Sequence, residues 1–215
     1  MAAINDFSQL DPDGVYSYAD YLTWKFDQAL EIIKCKIFKM AAPSSMHQRL
    51  SRKLTLAHGN HFENHRCELF AAPFDVDVRL FDKKKLLKAN KDIFTNIQPD
   101  ICIICDLKKI DKNGCLGAPD LMVEILSPGN SKCETKIKKE LYAESGVREY
   151  WIVDPEHETV TRFNFNEECS TTSTDIFSSD DIMSFIIFPD FTLNVSELFP
   201  ETEQEQCTNL CLLLK

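Results

Sequence analysis

Gln98-Pro99-Asp100 leads straight into the apolar run Ile101-Cys102-Ile103-Ile104-Cys105. Gly117-Ala118-Pro119-Asp120 then leads into Leu121-Met122-Val123-Glu124-Ile125-Leu126, closed by Ser127-Pro128. A lysine-rich stretch follows, and Glu149-Tyr150-Trp151-Ile152-Val153-Asp154-Pro155 completes the region. Short apolar runs bounded by Pro, Gly and Asp are strand signals, and the lysine-rich stretch between two of them has helical spacing. A mixed α/β fold, with a mixed sheet flanked by helices, is the expectation.

Side chains alternate along a strand, so Asp100, Cys102 and Ile104 share one face, as do Asp120, Met122, Glu124 and Leu126. Glu124 is therefore a carboxylate inside a run that otherwise reads as buried. A buried charge is costly unless it is paired or binds metal, which marks Glu124 as functional. On the following helix, expected over Ser131 to Ser145 and ended by Gly146, the lysines are Lys132, Lys136, Lys138 and Lys139. At about 100° per residue, Lys138 lies roughly 60° from Leu141 and roughly 40° from Tyr142. It alone borders the face that must pack on the sheet. Two sheet-edge carboxylates and a lysine are what a divalent-metal phosphodiesterase needs. The metal neutralises phosphate charge and activates water, and the lysine steadies the developing negative charge.

Working outward, Tyr18 to about Phe26 reads as a short helix and Ala29 to Met40 as a hairpin around Lys34-Cys35. Pro43-Ser44-Ser45 supplies a turn and cap for a helix from Met46 to about His61, with His47, Leu50, Leu54, Ala57 and His61 on its inner stripe. Cys67–Phe70 and Val76–Leu80 read as strands, Lys83-Lys84-Lys85 with Lys88 and Lys91 as a solvated basic loop, and Asp106 to Gly117 as a polar loop. Glu149–Val153 and Thr159–Phe165 are expected to pair. After Phe165 the chain is polar until Ile182–Phe188 and a closing segment from Phe191 to Leu198.

At 215 residues the chain is most simply one domain, 1–215. The helix and hairpin at about 15–42 form an N-terminal extension, and 163–215 an acidic C-terminal segment. No run approaches the ~20 apolar residues of a membrane span, and no signal peptide opens the chain, so a cytoplasmic protein without membrane association is expected. For the same reason the nine cysteines are expected to be free thiols. The net charge of −10 weighs against non-specific nucleic-acid binding until it is localised. Residues 163–214 hold ten acids and no Lys or Arg, whereas residues 1–162 hold 24 acids and 23 bases. A basic groove in that neutral body stays open.

The quoted motifs, together with Leu30-Glu31-Ile32-Ile33, Lys39-Met40, Pro43, His47, and Lys138 and Tyr142 ahead of Gly146-Val147-Arg148-Glu149-Tyr150-Trp151, resemble the Uma-type putative restriction endonuclease family of the PD-(D/E)XK nuclease superfamily. The resemblance covers about residues 15–198. It implies a restriction-endonuclease-like core, Mg²⁺ (or Mn²⁺) as cofactor and a nucleic acid, DNA in the first place, as substrate. Asp100 matches the first acid and Glu124 the second, with the backbone carbonyl of Ile125 as a further metal ligand. The superfamily's lysine falls two residues after the second acid, where this chain has Leu126; Lys138 takes over. Glu31, His47 and Asp120 are accessory candidates, although Asp120 stands about 13 Å from Glu124 along an extended strand. Glycine is usual where Cys35 stands. Such enzymes often act as homodimers because two strands must be cut. The competing class is a catalytically silent nuclease fold that binds nucleic acid or serves as a scaffold.

His61, His65 and Cys67 have possible zinc spacing but no second half-site, and Cys102 and Cys105 point to opposite strand faces. Neither group is expected to hold metal. Ser127 reads as a turn cap, and Trp24 and Trp151 as core or interface anchors.

Overall fold

A computed structural model describes residues 4–26, 29–78, 93–127 and 132–199. The predicted lysine loop at 83–91 and the tail beyond 199 lie outside them. The helices are α1 (Tyr18–Tyr21), α2 (Ser45–Phe62) and α3 (Lys132–Ser145). The strands are β1 (Leu30–Ile33), β2 (Lys36–Lys39), β3 (Glu68–Ala71), β4 (Asp75–Asp77), β5 (Asn96–Ile97), β6 (Ile101–Ile104), β7 (Gly114–Leu116), β8 (Leu121–Ile125), β9 (Glu149–Asp154), β10 (Thr159–Phe165), β11 (Thr171–Phe177), β12 (Ile182–Ser184) and β13 (Thr192–Asn194).

The central sheet runs β11-β10-β9-β8-β6-β3. β8 and β9 are parallel, as the crossover through α3 requires, and the other pairs in this sheet are antiparallel. Both faces are covered, so strict alternation splits each strand between two cores. Ile101, Ile103, Leu121, Val123, Trp151 and Val153 pack against Leu50, Leu54 and Phe62 of α2 and the phenylalanines of the C-terminal segment. Cys102, Ile104, Met122, Tyr150 and Ile152 face Leu141 and Tyr142 of α3 and the second sheet, ordered β2-β1-β5-β4-β7. Glu124 belongs to the second face. The mixed α/β expectation is met.

Ser44 caps α2, its hydroxyl accepting from the His47 amide at 3.1 Å. His58, on the buried stripe, donates Nδ1–H to the Leu54 carbonyl at 2.6 Å, and burial pushes its pKa down to about 4. It is a neutral core histidine.

Several expectations need correction. The first helix is the single turn Tyr18–Tyr21, opened by the Ser17–Asp20 capping box, and beyond it Trp24 packs against Tyr16, Tyr21 and Phe26. The loop 106–117 contains β7, a three-residue strand parallel to β4. Gly114 makes that approach possible: with φ +150, an added Cβ would sit 2.1 Å from the Asp75 carbonyl. The predicted Val76–Leu80 strand is Asp75–Asp77, with Leu80 outside the described residues. β11 fell in the stretch read as merely polar; its side chains are largely exposed on a sheet edge, so no apolar alternation announces it. Only Ile182–Ser184 and Thr192–Asn194 of the two closing segments are strands.

Cys67 and Cys105 are not free thiols but a disulfide. Glu68 pairs with Ile104 in the antiparallel β3–β6 ladder, so the next step of the register sets the two cysteines opposite each other. Cys35, Cys102, Cys115, Cys133 and Cys169 are free among the described residues.

In the β1–β2 hairpin, Lys34 and Cys35 carry φ of 48° and 70°. Two consecutive left-handed residues define a turn that favours glycine at the second position. Cys35→Gly should therefore raise stability by about 1 kcal/mol, the lower bound of the left-handed penalty. The measurement is the urea midpoint; an unchanged or lower midpoint counts against a strained turn.

Candidate active site

The two acids are brought together by strand register. Ile101 lies opposite Val123 in the antiparallel β6–β8 pair, so one further step sets Asp100 opposite Glu124. Asp100 is held in the ladder, since its carbonyl accepts from the Ala72 amide at 3.0 Å. Directly opposed residues on one face have Cβ atoms roughly 4.5–5.5 Å apart, and like charges there repel.

Oδ2 of Asp100 accepts the Ile125 amide at 2.7 Å and lies 3.1 Å from Nε2 of His47 on α2. Burial works against protonating His47, but the Asp100 hydrogen bond and the Asp100 and Glu124 charges outweigh it, so the imidazole's pKa rises. Glu124 faces α3. Its Oε1 accepts from Nζ of Lys138 at 3.0 Å and from the Tyr142 hydroxyl. Burial is the largest influence on Glu124; Lys138 pulls the other way, Glu31 and Asp100 add repulsion, and the result is pushed up to about 7. Lys138 also contacts Glu31 of β1, and Glu31 in turn accepts the Gln98 amide at 3.1 Å. Burial disfavours the ammonium, but the charges of Glu124 and Glu31 prevail and keep Lys138 protonated. Tyr142, buried beside these carboxylates, keeps its phenol proton well beyond the usual range.

These groups open onto a cleft of about 340 Å³ lined by Glu31, Lys39, His47, Asp100, Glu124 and Lys138. Ile125 and Ser127 line it as well. Of the residues expected at the site, the structure gathers Asp100, Glu124, Lys138, Glu31 and His47. Asp120 it does not. At the far end of β8, its Oδ2 accepts the Cys105 amide at 2.8 Å and its Oδ1 stands 3.4 Å from Arg148. That carboxylate fixes a loop, and its accessory role is withdrawn. Tyr142 and Gln98 were not anticipated at the site. The signal for Tyr142 is its place four residues after Lys138 on one stripe and within the motifs that carry the family resemblance.

The zinc spacing at His61, His65 and Cys67 dissolves, because Cys67 is in the disulfide and Nδ1 of His65 accepts its amide at 3.1 Å. Among the described residues, no group of three or more His, Cys, Asp or Glu is arranged to hold a metal by itself. None of their helices is long and apolar enough to cross a membrane.

The mixed sheet flanked by helices defines a nuclease-type fold, and comparison with known proteins agrees on family and fold. Residues 18–196 match the Uma2 family, described as "Putative restriction endonuclease", and the chain belongs to that family. A crystal structure of a putative nuclease of the DUF820 family from Anabaena variabilis has the same fold, with a TM-score of 0.65 at 20% identity. The match covers 86% of this chain and 97% of the other. An uncharacterized Synechocystis protein is 23% identical over 165 residues, 75% of this chain and 77% of its own length.

Proposed function

We propose that the protein is a metal-dependent endonuclease that hydrolyses DNA phosphodiester bonds with Mg²⁺ or Mn²⁺. The observation that carries this reading is the pair Asp100 and Glu124, opposed on adjacent strands in a cleft with a buried, charged lysine beside them. Their donor chemistry fits the ion. Carboxylates are hard oxygen donors, and the Ile125 carbonyl would add a third. His47 and the Ile125 amide meet the Asp100 carboxylate at Oδ2, and Lys138 and Tyr142 meet the Glu124 carboxylate at Oε1. Mg²⁺ characteristically keeps several waters and takes few protein carboxylates, which suits a site without a full protein cage.

Bound there, the ion would neutralise phosphate charge and lower the pKa of water. Lys138 would contribute a fixed positive charge toward the negative charge that develops on the phosphoryl oxygens. Tyr142 orients the Glu124 carboxylate through Oε1, and His47 does the same for Asp100 through Oδ2. The family's description supports nuclease chemistry, and a homodimer would let two such sites cut both strands.

Two experiments test this. Plasmid or oligonucleotide DNA should be cut with Mg²⁺ or Mn²⁺ and spared in EDTA; calorimetry showing no Mn²⁺ uptake would favour the silent scaffold instead. The second reads Glu124, whose pKa is raised to about 7. Metal binding needs it ionised, so Mn²⁺ affinity should climb about tenfold per pH unit below 7 and level off above it. Tyr142→Phe removes a donor that favours the ionised form and should move that midpoint upward. A flat profile between pH 5 and 8 would exclude Glu124 as a ligand.

A further inference from the structure

We infer that Glu31 and Glu124 form a second cation site whose resident ion is the ammonium of Lys138, so that the folded protein takes up one divalent ion and not two. This rests on the reading of Asp100 and Glu124 as a metal site. Nζ of Lys138 stands 3.0 Å from Oε1 of Glu31, 3.0 Å from Oε2 of Glu31 and 3.0 Å from Oε1 of Glu124. Three carboxylate oxygens around one cation, two of them from a single bidentate glutamate, make the kind of shell that oxygen-seeking divalent ions occupy.

The three side chains are largely buried. The Glu31 side chain is 2% exposed, Lys138 10% and Glu124 13%. A charged carboxylate as buried as Glu31 is costly without a positive partner, and its other described hydrogen bond comes from the Gln98 backbone amide. Glu124 is shared. It faces Asp100 across the strands and Glu31 through the lysine, as the bridging acid of a two-metal nuclease does between ions roughly 3.5–4 Å apart. Here the second position is filled by a cation that the chain carries itself. The tether comes from α3, while Leu126, two residues beyond Glu124, packs against the second core. Lys138 is thereby assigned two tasks, neutralising Glu31 with Glu124 and excluding a second ion.

Counting bound Mn²⁺ by equilibrium dialysis and electron paramagnetic resonance at pH 8 tests this. The wild-type protein should bind one ion, Lys138→Ala two, and the double variant Glu31→Gln/Lys138→Ala one again. Two ions in the wild type, or one in a folded Lys138→Ala, would overturn the inference while leaving the metal reading intact. Should Lys138→Ala be unfolded in chelator, circular dichroism during Mn²⁺ addition decides. Refolding with uptake of two ions supports the inference, and failure to refold overturns it. No ion in any of the proteins overturns the metal reading itself, and the inference with it.

Discussion

Glutamine in place of Glu124 is expected to reduce Mg²⁺-dependent DNA cleavage by on the order of 10³-fold, equivalent to about 4 kcal/mol of transition-state stabilisation. Glutamine preserves the volume and an acceptor for Tyr142 and Lys138, so the fold has little reason to change. What disappears is the negative charge opposite Asp100 that would hold the ion. Asp100→Asn should behave alike, and combining the two should lose little more than either alone, because groups acting as one unit are not additive. The thermal midpoint in EDTA should barely move, whereas its rise on adding Mn²⁺ should vanish, since a ligand stabilises only the state that binds it. Cleavage by Glu124→Gln at the wild-type rate would remove the assignment.

The parts of this site that sequence made legible are those fixed by local geometry. Period-two alternation put Asp100 and Glu124 on corresponding faces, and the cost of burying Glu124 singled it out. The helical period separated Lys138 from Lys136, which is exposed, and from Lys139, which lies over the Phe163 ring. Glu31 was suggested only by resemblance. Its approach to Lys138 depends on β1 belonging to a second sheet whose order, β2-β1-β5-β4-β7, no local pattern encodes. The same limit explains the disulfide. Cys67 and Cys105 stand 38 residues apart and become neighbours only through the β3–β6 register. β7 and β5 were invisible for a different reason: strands of three and two residues are too short for alternation to register.

At pH 8, Lys138→Met should cost about 3–5 kcal/mol of folding stability, the usual result of removing one partner from a buried ion pair. Methionine matches the length and helix preference of lysine, so the loss measures the charge. Its pH dependence has a definite sign. In the wild type, Glu124 in the folded state titrates at about 7 against an ordinary value of 4.5, so the folded state holds a proton that the unfolded state has released. Stability therefore falls as pH rises through that window. The pull of Lys138 on Glu124 limits the fall, and the raised pKa of the lysine keeps its own contribution intact across neutral pH. Without the ammonium, Glu124 moves still higher and Glu31 loses its counter-charge, so the decline steepens and extends to higher pH. Urea midpoints for wild type and Lys138→Met should accordingly lie close together near pH 5 and diverge by pH 8. A constant offset at both pH values would show that the two glutamates do not depend on the lysine for their charge.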